Sequence, residues 1–140
     1  MLVIDKSYIE SRVNDWVQRI DDLYLFVKHT LVNVKGVKYE LIKKMVMHEE
    51  LMQEYGVAPT DVPILDLYKE EKLIASFKPI GLWVIGANGR VDILTKVGAF
   101  ILVNVTEIEG DSKWEVFAPT NRRKGQPFDA NFIHELVKLQ

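Results

Sequence analysis

Leu82-Trp-Val-Ile-Gly-Ala-Asn-Gly-Arg-Val-Asp-Ile-Leu-Thr95 sets an Asn-Gly pair between two runs of β-prone residues, and its reading decides the fold. A two-residue type I′ turn needs φ > 0 at both central positions, where Asn is tolerated and Gly is unstrained. The pair therefore predicts a β-hairpin with Asn88-Gly89 at its tip. That register places Ala87 opposite Arg90, Ile85 opposite Asp92 and Trp83 opposite Leu94 on one face. The other face carries Gly86 with Val91, Val84 with Ile93, and Leu82 with Thr95. The second set is apolar and should face the core. The first gathers Trp83, Ile85 and Leu94 around Asp92, with Arg90 two residues along the same side.

Working outward, Ile64–Tyr68 and Leu73–Phe77 read as strands flanking the charged turn Lys69-Glu-Glu-Lys72. Ala99–Val105 follows the tight Lys96-Val97-Gly98 connection, and Trp114–Ala118 reads as a final strand. Links this short cannot support parallel crossovers, so the expected sheet is an antiparallel meander of five to six strands.

Ahead of the strands, Ile9, Val13, Trp16, Val17, Ile20, Leu23, Tyr24 and Val27 recur at spacings of three and four, predicting an amphipathic helix over 7–29. Ser7-Tyr-Ile-Glu10 has the form of a capping box at its start. Leu25 and Phe26 widen the apolar stripe near its end, where the helix is either more deeply buried or open to a partner. Residues 31–39 are ambiguous, with hints of short β pieces around Lys35-Gly36. Leu41, Met45, His48, Met52 and Tyr55 return to helical spacing, predicting a second helix closed by Gly56 and Pro59. Phe128, Phe132, Ile133, Leu136 and Val137 mark a closing helix capped by Asp129. Helices, then strands, then a helix is the order of an α+β fold. The expected architecture over 1–140 is a single α+β domain with a five- to six-stranded antiparallel meander, two N-terminal helices and one C-terminal helix.

Composition narrows the function. The chain is 48% hydrophobic and 27% charged with a net charge of −2, an ordinary globular profile and not the basic balance usual for nucleic-acid binding. It contains no cysteine, which excludes disulfides, thiolate nucleophiles and Cys-ligated metal sites. Met1-Leu-Val-Ile-Asp-Lys6 lacks a basic region followed by a long apolar run, so no secretory leader is expected. No run of residues is apolar for the length of a membrane span. The expectation is a cytoplasmic protein without membrane contact, its oligomeric state open.

Motifs for chemistry are sparse. His29, His48 and His134 fall on separate segments, and His48-Glu49-Glu50 lacks the second histidine of a zinc-protease helix. Gly86-Ala-Asn-Gly89 lacks the lysine and the following helix of a phosphate loop. Gly89–Leu94 and Phe100–Thr106 faintly resemble the paired strands of PD-(D/E)xK nucleases over about twenty residues, with Asp92 at the first metal-binding position. The second position falls on Asn104 and Thr106, which supply neither carboxylate nor lysine, so the resemblance implies at most an inactive relative. Neither a catalytic residue nor a metal ligand nor a cofactor is expected. Aromatic and arginine side chains are the types that anchor protein interfaces, and Trp83, Arg90 and Trp114, with Asp92 beside them, are the first candidates. The expected function is thus a non-catalytic protein-interaction domain. Two alternatives stand beside it. One is nucleic-acid binding through Arg122, Arg123 and Lys124 in a basic loop at Asn121–Lys124, near the aromatic residues Trp114 and Phe117. The other is a small-molecule site between the sheet and the first helix, with Asp92 as its acid.

Overall fold

The computed structural model describes residues 3–105 and 112–139. Its order is α1 (Lys6–Leu31), β1 (Val37–Met47), α2 (Glu50–Glu54), β2 (Thr60–Lys69), β3 (Lys72–Gly81), β4 (Arg90–Thr95), β5 (Gly98–Asn104), β6 (Trp114–Ala118), β7 (Asn121–Pro127) and α3 (Ala130–Lys138). The strands form one antiparallel sheet in sequence order, each paired with the next. The α+β class and the meander are as the sequence predicts. The strands number seven, not five or six, and only one long helix precedes them.

α1 is 26 residues long, and its buried stripe (Ile9, Val13, Trp16, Ile20, Leu23, Tyr24, Val27, Leu31) shares one core with Leu65, Leu67, Phe77, Val91, Ile93, Leu102 and Val116 of the sheet and Ile133 and Leu136 of α3. The N-cap is Asp5, whose carboxylate accepts from the Tyr8 N–H at 2.9 Å, in place of the expected Ser7–Glu10 box. Asp129 caps α3 as expected, accepting from the Phe132 N–H at 2.8 Å. Tyr24, read as apolar in the helical stripe, carries its hydroxyl into the core and donates it to the carbonyls of Pro63 (2.8 Å) and Phe77 (3.1 Å).

The predicted second helix is mostly strand. Only Glu50–Glu54 is helical, and Val37–Met47 pairs with β2. The misreading has a physical source. β1 is an edge strand with a bulge between Glu40 and Lys43, and its half-buried positions are Val37, Leu41 and Met45. A spacing of four in a strand thus imitates a helix.

The expected Asn88-Gly89 hairpin does not form. β3 ends at Gly81, and β4 pairs with earlier residues: Ser76 faces Leu94, Lys78 faces Asp92 and Gly81 faces Arg90. Residues 82–89 are a loop whose tight turn lies at Ile85-Gly86, bracketed by a Val84–Ala87 bridge, with Gly86 at φ +81°. The Glu49 carboxylate holds the loop's start by accepting from the N–H groups of Leu82 (2.9 Å) and Trp83 (3.3 Å). Asn88 and Gly89 instead extend the β5 ladder, exchanging backbone hydrogen bonds with Asn104 at 2.9 and 3.0 Å. Two consecutive positive φ angles do occur in a two-residue hairpin loop, but at Glu70 (51°) and Glu71 (68°), between the paired Lys69 and Lys72. The type I′ requirement is met there by two residues poorly suited to it.

Within β4 the face assignment holds. Val91 and Ile93 are buried among the helices, so Arg90, Asp92 and Leu94 lie on the outer face of the sheet.

Candidate binding groove

Between α1 and the β6–β7 end of the sheet lies an open groove of about 640 Å³. Its apolar walls are Leu23 and Phe26 of α1, Val105, Trp114, Pro127 and Phe128. Helical spacing brings Arg19, Leu23 and Phe26 to one side of α1, and β6 contributes Trp114 from the strand position facing Asn104. Phe26 remains 42% exposed and meets the Phe128 ring edge-on at 6.2 Å. Trp114 packs against the buried Trp16 ring at 5.9 Å.

Arg19 is the polar group set deepest in the groove, at 8% exposure. Its Nε donates to Asp15 at 2.9 Å and its Nη1 to the Asn88 carbonyl at 2.5 Å, while the guanidinium stacks 5.1 Å from the Trp16 ring centre. Burial pulls its pKa below the ordinary arginine value, opposed chiefly by the charge of Asp15. Arginine is nonetheless charged throughout any accessible pH range. Asp22, Lys113 and Glu115 also line the groove, so an aromatic centre is bordered by charges of both signs.

The residues singled out from the sequence do not form one surface. Trp83 sits in the loop after β3, half-buried, with the Arg12 guanidinium 5.8 Å from its ring. Arg90 and Asp92 lie on the outer face, joined by two hydrogen bonds of 2.7 and 3.0 Å. Asp92's hydrogen bond is the main cause of a raised Arg90 pKa, opposed by partial burial. Asp92 therefore does not reach the groove beside the first helix, and that variant of the small-molecule reading is corrected: the acids there are Asp22 and Glu115. Trp114 is the one early candidate in the groove. Arg122, Arg123 and Lys124 belong to strand β7 and not to a loop. Val116 faces Gln126 and Ala118 faces Asn121, so four residues on β7 stand opposite the single Phe117. This wide bulge lifts the three cations, all exposed, out of the ladder. The Arg122 guanidinium donates to the Phe117 carbonyl at 3.1 Å.

The sequence pattern does not single out Arg19, and it marks Phe128 only as part of a closing helix. The widening of the stripe at Leu25 and Phe26 was the available signal, and Phe26 is a groove residue. Among the described residues no group of His, Asp or Glu is arranged to hold a metal ion. Of the nuclease-like positions, Asn104 is buried and donates from Nδ2 to Ser112 Oγ at 2.8 Å, while Thr106 lies outside the described residues. No helix of the described chain is long and apolar enough to cross a membrane. No protein-family model matches this chain, and no curated protein or solved structure is significantly similar to it.

Proposed function

We propose that this chain is a non-catalytic binding protein that takes an apolar segment of another protein into the groove between α1 and β6–β7. The observation that carries this reading is the convergence of Phe26, Trp114 and Phe128 around the buried Arg19 guanidinium. Aromatic and arginine side chains supply most interface hot spots, and an apolar centre with a charged rim is the usual anatomy of such a surface. The open side favours a polypeptide over a small molecule, because small-ligand sites normally enclose most of their ligand. Arg19 suits a backbone carbonyl or carboxylate of the incoming segment.

The test is selection of binders from a random peptide library on the purified protein, followed by calorimetry. Selected peptides should share an aromatic or large aliphatic anchor. Phe26→Ala, which changes a half-exposed side chain, should weaken them about tenfold or more, the size expected of a hot-spot residue. Failure to enrich any motif, or binding indifferent to Phe26, refutes the reading.

A second reading rests on the β7 bulge, which presents Arg122, Arg123 and Lys124 to solvent. Three phosphate contacts would give single-stranded nucleic acid an affinity falling with salt at a log–log slope of about −2. Absence of that slope, or its persistence when all three are changed to alanine, removes this reading.

A further inference from the structure

On the outer face of the sheet, independent of the groove, a cleft of about 360 Å³ gathers three lysines from three elements: Lys43 of β1, Lys78 of β3 and Lys96 of the β4–β5 turn. Its floor is Asp66, only 1% exposed although it lies on the face away from the helices. Asp66 is already engaged: Ser76 donates its hydroxyl to one carboxylate oxygen, and Lys43 Nζ stands 3.3 Å from the other. Lys78 and Lys96 have no ion-pair or hydrogen-bond partner among the described residues. Asp92, opposite Lys78 in the ladder, is held at both oxygens by Arg90. Three lysines and one carboxylate thus line the cleft, a surplus of two positive charges. The remaining wall is aliphatic, formed by Ile64, Ile74 and Leu94 among others.

We propose that this cleft binds a soluble phosphate monoester with a short aliphatic body. A phosphate dianion matches the surplus charge and offers several acceptor oxygens to donor-only ammonium groups. Ser76, whose proton is committed to Asp66, presents no donor of its own, so recognition falls to the lysines. Asp66 acts as a positioning residue, drawing Lys43 across the sheet into the cleft. The aliphatic wall separates an alkyl ester from inorganic phosphate, because each buried methylene favours association.

The experiment is an amide-shift titration of the full chain with n-butyl phosphate at low ionic strength. Inorganic phosphate, pentanoate and vesicles containing phosphatidate are run in parallel. Butyl phosphate should produce saturable shifts at Ser76, Leu94 and Thr95. Lys78→Gln/Lys96→Gln should weaken it about tenfold or more, from the loss of two charge-assisted contacts. The charge-matched control Lys69→Gln/Lys72→Gln, at the β2–β3 turn, should leave it within about twofold. Non-saturating shifts, or equal loss in both double variants, mean diffuse electrostatic attraction and overturn the proposal. Equal affinity for inorganic phosphate or pentanoate overturns the ligand class, and preference for the vesicles overturns a soluble ligand. All four substitutions are on exposed or half-exposed lysines, and unchanged melting confirms that the variants fold.

Discussion

Replacing Gly89 with alanine tests the packing of the loop against α1. Gly89 has φ +125°, and a Cβ built there would lie 2.2 Å from Cζ3 of Trp16, with two further ring atoms at 2.5 and 2.7 Å. Trp16 cannot easily yield, being 1% exposed and wedged between Trp114 and the Arg19 guanidinium. Two costs therefore add. Forcing a non-glycine residue into that backbone region costs roughly 1–3 kcal/mol. Overpacking a rigid ring costs roughly another 1–3 kcal/mol. Against these, alanine narrows the unfolded ensemble and returns about 0.4–1 kcal/mol. The net expectation is a loss of about 3 kcal/mol, a large part of the roughly 5–15 kcal/mol available to a domain. Urea unfolding measures it, and a double-mutant cycle with Trp16→Leu identifies the cause. Leucine removes the ring, so Gly89→Ala should cost at least about 1 kcal/mol less in that background, while the backbone share persists. A loss below about 1 kcal/mol in the wild-type background, or the same loss in both, would refute the argument that glycine is required by contact with Trp16.

Other expectations follow from single contacts. Glu70→Asn with Glu71→Gly should raise stability by about 1–2 kcal/mol in urea unfolding, because a glutamate at positive φ is strained and Asn-Gly fits such a loop; an unchanged midpoint would mean the turn carries no strain. Burial raises the Tyr24 pKa well above its ordinary value. A raised folded pKa keeps its stabilising contribution below the unfolded value near 10 and loses it as pH climbs beyond, at up to about 1.4 kcal/mol per pH unit. Tyr24→Phe should start less stable for want of two hydrogen bonds, and its urea midpoint should fall less between pH 9.5 and pH 11.5, roughly the onset of tyrosine ionisation; parallel slopes would contradict the assignment. Asp92→Ala should cost about 1 kcal/mol or less and leave peptide binding in the groove unchanged, since the pair it breaks is half-exposed and on the opposite face; a loss of groove binding would place the site elsewhere.

Legibility in the sequence tracked how strongly each segment is tied to the core. α1 could be read almost to its ends because one face supplies a continuous stripe from Ile9 to Leu31. β4 is legible because buried and outward residues alternate, Val91 and Ile93 against Arg90 and Asp92, and β5 and β6 because short runs of β-prone residues mark them. The two edge strands are not so marked. β1 is half-exposed and bulged, which stretches its apolar repeat to four, and β7 reads Asn-Arg-Arg-Lys-Gly-Gln-Pro, with no alternation at all. Edge strands are commonly charged and bulged, features that discourage pairing with other chains and also erase the period by which strands are recognised.

The Asn88-Gly89 reading failed for a related reason. A turn propensity of a kilocalorie or so competes with tertiary contacts, and here those contacts are the Trp16 ring, the Arg19 guanidinium on the Asn88 carbonyl, and the ladder to Asn104. Glycine is required at position 89, but by a side chain 73 positions earlier in sequence. The groove was hidden by the same kind of long-range term. Arg19 belongs to the polar side of α1 when the helix is considered alone, and it becomes buried only because the 88–89 segment and Trp16 supply its hydrogen bond and its stacking partner. The contact that displaced the expected hairpin tip therefore also fixes the cation at the groove. Changing Gly89 should in consequence disturb peptide binding through Arg19 as well as stability, whereas Glu70→Asn with Glu71→Gly should alter stability alone.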